Sequence, residues 1–149
     1  MKNEQYRFLP ILLGIGSLVL IFLAEACQSS SDIKREQYFV EGMELYKIHC
    51  ANCHQMDGKG LQNLYPPIAN SDFLTNQKQY LACGIKYGIT DSLRVNGKVY
   101  TQAMPANTQL KNIEIAEILT YIYNKWGNEK EITPTETVKE WLDACEQKQ

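Results

Sequence analysis

Cys50-Ala51-Asn52-Cys53-His54 is the stretch of this chain with the most chemistry in it. Two thiols with two residues between them, and an imidazole directly after the second, are spaced so that both sulfurs can form thioethers to the edge of one haem while His54 coordinates its iron. Such a haem c site needs a second axial ligand, export to a compartment where the attachment is made, and apolar side chains enough to bury a porphyrin. Zinc could use the same two thiols, but a tetrahedral site wants a second Cys/His pair, and only His49 and distant cysteines remain. A thioredoxin-like redox pair needs a βαβ context, and none is present.

His49 and His54 are the two histidines. His49 immediately precedes Cys50, so its backbone is too constrained by an attached cysteine to carry the ring to the opposite haem face. Methionine is then the expected distal ligand, from Met56 or Met104. Met56 is two residues from His54 and would stay on its side of the ring, whereas Met104 lies far downstream and is followed by Pro105. A methionine at an arbitrary position is usually a core filler; here the context selects Met104. An iron held by His54 and Met104 has no open position and a higher reduction potential than a bis-histidine iron. Such a centre conducts electrons and does little other chemistry.

Several elements must position these groups. Periodic Phe39, Gly42, Met43 and Tyr46 predict a helix from Ile33 or Arg35 to about His49 that delivers the motif at its end, with Asp32 as its cap. Gly42 on that face costs about 1 kcal/mol of helix propensity against alanine, so something must press close to the backbone there. Pro66-Pro67 excludes helix and favours an extended turn beside the haem. Asn70 or Ser71 is positioned to cap a helix over 72–84 with Phe73, Leu74, Tyr80 and Leu81 as apolar members. Asn96-Gly97 between Leu93-Arg94-Val95 and Lys98-Val99-Tyr100 predicts a hairpin leading into Met104-Pro105. Ile115, Ile118, Leu119, Ile122 and Trp126 form the stripe of a helix over 111–126, with Gly127 as its stop. Pro134 opens a short helix through Val138, Trp141, Leu142 and Cys145.

Composition bounds the rest. The chain has 149 residues, 44% of them apolar, which suits one domain of roughly 100 residues plus appendages. A formal charge of -2, a pI near 5.7 and the absence of a basic run leave no footprint for nucleic acid. Five cysteines suit an oxidising compartment. Lys2 and Arg7 precede an apolar run from Phe8 to Ala24 and then Glu25-Ala26-Cys27, the layout of a secretory signal. The cysteine after the small residue resembles the acylated cysteine of bacterial lipoproteins, with Glu25 a departure from that pattern. An uncleaved anchor is the other reading, although a bilayer span usually needs about 20 apolar residues. Cys83 and Cys145 are left over. Two spare thiols in an oxidising compartment favour a disulfide, against two unrelated thiols.

The chain resembles the class I monohaem cytochromes c. The likeness covers roughly 35–128 and rests on features in the right order: Gly42-Met43-Glu44-Leu45-Tyr46, Cys50 to His54, Gly58-Lys59-Gly60, Pro66-Pro67, Met104-Pro105 and the helix ending near Trp126. It implies an all-α cytochrome c fold, with three core helices around one covalent haem, a small hairpin before the methionine loop and an extra C-terminal helix. It also implies that the first and last core helices cross, with Gly42 and Tyr46 against Ile118 and Tyr121, and that the Pro66 or Pro67 carbonyl supports His54. With the N-terminal pattern and the tail added, the expected organisation is a signal over 1–26, a lipid-anchored linker over 27–34, the cytochrome domain over 35–128 and an extension over 129–149.

The expected function is single-electron transfer by a carrier tethered through Cys27 to the extracytoplasmic, periplasmic face of a bacterial membrane. The haem c would be bound by Cys50, Cys53, His54 and Met104. Electrons would come from a quinol-oxidising complex or dehydrogenase and go to a terminal oxidase or reductase. Two other readings are a subunit fixed in a larger complex, docking through the tail from Glu129, and a ligand sensor or enzyme in which Met104 is displaced. Tyr65, Tyr87, Tyr100 and Trp126 are candidates to touch the porphyrin or its propionates, or are ordinary core aromatics. Lys59, Lys78, Lys86 and Lys98 either ring the haem edge or are solvated surface.

Overall fold

Helix α1 (Ser30–His49) starts earlier than periodicity alone indicates, because Ser29 caps it. The Ser29 Oγ accepts the Ser31 N–H at 3.3 Å and its carbonyl accepts the Asp32 and Ile33 N–H groups. Asp32, expected as the cap, instead sits in the first turn, where its charge complements the helix dipole. These features come from a computed structural model that describes residues 29–75 and 77–146. The expected signal and Cys27 lie outside the described residues. Contacts divide the chain into 1–33 and 34–149, and the cluster of buried side chains lies wholly within the second unit.

The buried face of α1 is Tyr38, Gly42 and Tyr46, with Phe39 and Met43 half-buried beside it. This face crosses α4 (Asn112–Trp126), whose Ile115, Ile118, Leu119 and Ile122 are buried as the stripe predicts. At the crossing a Cβ on Gly42 would collide with the Glu117 carbonyl, so only glycine permits the approach. The closest approach to Gly42 is by Glu117 and Tyr121. Tyr121 packs on Phe39 and on Tyr46 with ring centroids 5.3 Å apart in each pair, and Trp126 packs on Tyr46 at 5.4 Å.

The middle of the chain departs from expectation. In place of one helix over 72–84 there is a 3-10 turn (Asp72–Leu74), a break, and α3 (Lys78–Tyr87). Ser71 caps the turn, accepting the Phe73 N–H at 3.1 Å. The break has a tertiary cause: the Asp72 N–H donates to the Asn96 side chain at 2.9 Å while the Asn96 N–H donates to the Asp72 carboxylate at 2.8 Å. That exchange holds the turn on the hairpin and out of line with α3. The buried face of α3 is accordingly Ala82 and Ile85, and Tyr80, expected inside, is 41% exposed.

Strands β1 (Leu93–Val95) and β2 (Lys98–Tyr100) pair antiparallel with Leu93 opposite Tyr100, as the Asn-Gly signal predicts. Asn96 and Gly97 have φ of 49° and 77°, the two left-handed positions of such a turn. Helix α5 (Thr135–Glu146) is no loose appendage: Val138 and Leu142 are buried in the same cluster as the α4 stripe. Cys83 and Cys145 form a disulfide from α3 to α5, closing a loop of 62 residues, worth about 4 kcal/mol in the chain-entropy model. Lys78 adds an ion pair to Glu129 at 2.6 Å with its ammonium over the Tyr123 ring.

Gly42→Ala is expected to lower the stability of the holoprotein by about 2–3 kcal/mol through overpacking, read as a lower thermal midpoint; an unchanged midpoint would mean the helices do not cross there. Burial, then the carboxylates of Glu41 and Glu114, raise the Glu117 pKa above its ordinary value. Folding therefore favours its neutral form, so its contribution to stability grows as pH falls through the raised pKa and its charge costs stability above it. Glu117→Gln should stabilise the protein at neutral pH and have less effect near pH 4, as denaturant titrations at the two pH values would register.

Candidate cofactor site

The Cys50 N–H closes the end of α1 by donating to the Tyr46 carbonyl at 2.8 Å, and the next turn, α2 (Ala51–His54), carries Cys53 and His54. The His54 Nδ1 lies 2.9 Å from the Pro66 carbonyl oxygen. A carbonyl only accepts, so Nδ1 carries the proton and Nε2 keeps its lone pair. Of the two prolines left open by the sequence, it is Pro66 that holds the ring. The His54 carbonyl in turn accepts the Gly60 N–H at 3.0 Å, and the Gly58 carbonyl accepts from Ile68 and Ala69. The loop over 56–69 is thereby folded back on the motif.

Gln55 makes the turn out of α2 at φ 63° and ψ 158°. That region is nearly confined to glycine and costs a side-chain-bearing residue about 1–3 kcal/mol. Two donors hold its carbonyl: the hydroxyl of fully buried Tyr46 at 2.8 Å and the Gly58 N–H at 3.1 Å.

The methionine loop is fastened to α3. Ile89 and Met104 exchange both backbone bonds, at 3.0 and 2.9 Å, and the Asn107 N–H donates to the Ile85 carbonyl at 3.0 Å. The Lys86 ammonium donates to the Thr108 and Leu110 carbonyls at 2.8 and 2.7 Å. Gly88, at φ 83°, lets the chain pass so close that a Cβ there would stand 2.8 Å from the Met104 carbonyl oxygen.

These arrangements bring Cys50, Cys53, His54 and Met104 to the lining of one cleft of about 960 Å³, including space open to solvent. Its other walls are chiefly apolar: Ile85, Ile89, Leu93, Val95 and Ile122 among them. The lining suits a large flat apolar ligand, and the donor set suits an iron porphyrin with two thioether links. Burial, then neighbouring Cys53, pushes the Cys50 thiol up to about 12, so it is a neutral thiol at physiological pH. Burial lowers the His54 pKa against the opposing pull of the Pro66 bond, which keeps the imidazole neutral with Nε2 available. Met56 is 46% exposed and does not line the cleft. Among the described residues no cluster of three or more His, Cys, Asp or Glu side chains is placed to hold a metal ion.

Of the four candidate aromatics, Tyr65 and Tyr100 line the cleft and Tyr87 and Trp126 do not. Trp126 is occupied with Tyr46 and Tyr121. The four lysines each have a partner within the chain. Lys59 pairs with Asp57, Lys78 with Glu129, Lys86 with the methionine loop, and Lys98 with Asn63 and the Gln62 carbonyl. The Lys86 clamp and the Tyr46 bond to Gln55 leave no mark in the sequence, since both end on backbone carbonyls.

Residues 39–126 match the cytochrome c family. Over 96 residues the chain is 33% identical to cytochrome c-552 of Thermus thermophilus, covering 62% of this chain and 72% of that protein. It is 32% identical over 90 residues to the cytochrome c subunit of a quinone-type alcohol dehydrogenase from Gluconobacter oxydans, covering 58% of this chain and 18% of that subunit. The fructose dehydrogenase cytochrome subunit of Gluconobacter japonicus is 30% identical over 105 residues, 67% of this chain and 21% of that one.

Lys86→Met should remove two charge-assisted bonds, at a cost of about 2 kcal/mol. Hydrogen exchange of the Met104 and Asn107 amides should then quicken relative to the α4 amides; equal protection in both proteins would mean the clamp holds nothing.

Proposed function

The chain belongs to the cytochrome c family, and from that premise we propose that Cys50 and Cys53 bind the haem covalently while His54 and Met104 take the two axial positions of its iron. It is an electron-transfer protein and not an enzyme, and its cofactor is covalently attached haem c. The single observation that supports the residue assignment is the convergence of all four side chains on one apolar cleft.

The haem supplies a one-electron couple; the chain supplies its position and surroundings. Pro66 keeps the His54 Nδ1 protonated and the ring oriented. Met104 offers a soft thioether sulfur on a loop fastened by reciprocal bonds to Ile89, which favours a closed iron over a displaceable one. The apolar walls would limit the access of water to the metal. Because no bond to substrate is made or broken, rigidity serves the function.

The carrier is proposed to work outside the cytoplasm, tethered through Cys27, on the strength of the apolar run from Phe8 to Ala24 and the cysteine that follows it. Its donor would be a quinol-oxidising complex or a dehydrogenase and its acceptor a terminal oxidase or reductase. Similarity to cytochrome subunits of dehydrogenases supports a redox protein as partner. The burial of Val138 and Leu142 commits the tail to this chain's own core and supports an independent carrier over a subunit docking through that tail.

Met104→Ala in the exported holoprotein should abolish the weak sulfur-to-iron band in the far red of the oxidised spectrum, lower the reduction potential and open the iron to carbon monoxide or cyanide. Persistence of that band would assign the distal position to another residue.

A further inference from the structure

Tyr46 does more than pack the helix crossing. Its ring fills the gap beside Tyr121 and Trp126, a task phenylalanine would perform equally well. Its hydroxyl, fully buried, is spent on the carbonyl of Gln55, the residue directly after His54. Gln55 is also the residue whose backbone occupies the region that glycine favours. The strained turn sends the chain away from α2 at the angle from which 56–69 can return, bringing the Gly60 N–H to the His54 carbonyl and the Pro66 carbonyl to the His54 Nδ1.

We propose that Tyr46 is a positioning residue for His54: its hydroxyl holds the Gln55 carbonyl, hence the strained turn, and hence the Pro66 carbonyl against Nδ1. The inference rests on the reading of His54 as an axial ligand. A firm Nδ1–H···O bond makes an imidazole more electron-donating and favours the oxidised iron. Loosening that bond therefore raises the reduction potential, and the hydroxyl of a residue outside the cleft lining should set part of it.

The test uses exported holoprotein with Tyr46→Phe, Gln55→Gly and both changes together. Tyr46→Phe should keep the haem and the far-red band but raise the reduced-to-oxidised ratio severalfold at a fixed ambient potential. Gln55→Gly should increase the folded-to-unfolded ratio in denaturant, because it removes the strain, with the potential unmoved. The double variant should return toward the parent potential, since glycine holds the turn without the hydroxyl. A Tyr46→Phe protein that loses stability but keeps the parent potential would overturn the inference and leave Tyr46 a packing residue. If that variant does not fold, Gln55→Gly decides: destabilisation there means that no strain exists for the hydroxyl to hold. A high-spin spectrum of the unsubstituted protein would overturn the axial reading itself, a failure distinguishable from the other two.

Discussion

The hydrogen bond from the His54 Nδ1 to the Pro66 carbonyl is the interaction on which the rest of the site depends. Without it the ring could present either nitrogen, and the thiols of Cys50 and Cys53 would flank an imidazole of undefined orientation. With it, Nε2 is the only nitrogen with a free lone pair, and burial keeps the ring from taking a second proton. The features before and after His54 serve that bond. Helix α1 delivers the motif, Gln55 turns the chain, and the loop over 56–69 carries the acceptor home.

Stability and function are partly separated in space. The crossing of α1 and α4 at Gly42, closed by Tyr46, Tyr121 and Trp126, holds the first wall of the cleft. The second wall, α3 and the methionine loop, is held differently, by polar links to backbone carbonyls and by the disulfide to α5. Aromatic packing together with the Pro66 bond fixes the histidine side, and polar links to backbone carbonyls fix the methionine side. A cleft built so tolerates little movement of His54 or Met104, which suits a centre whose only change is one electron.

Much of this was legible in the chain because the relevant signals are local. Asn96-Gly97 demands two left-handed residues, and a hairpin is what supplies them. The stripe from Ile115 to Trp126 has only one helical reading. Cys50, Cys53 and His54 carry their chemistry in their spacing, and Met104 was singled out by elimination against Met56. Apart from the Ser29 cap, which is local, the departures from the structure come from contacts between distant residues. Asp72 and Asn96 break the expected helix over 72–84. Val138 and Leu142 find buried neighbours that no local pattern announces. The choice of Pro66 over Pro67, like the Lys86 clamp, depends on backbone carbonyls, which every residue has and no sequence pattern distinguishes.

Proton NMR of the reduced, diamagnetic holoprotein tests most directly whether His54 and Met104 grip one iron from its two sides. The Met104 methyl group should lie far upfield, within the ring current and over the face of the porphyrin, and the His54 Nδ1 proton should exchange slowly with solvent because Pro66 holds it. A Met104 methyl resonance at its ordinary position, together with a freely exchanging His54 ring proton, would contradict that arrangement.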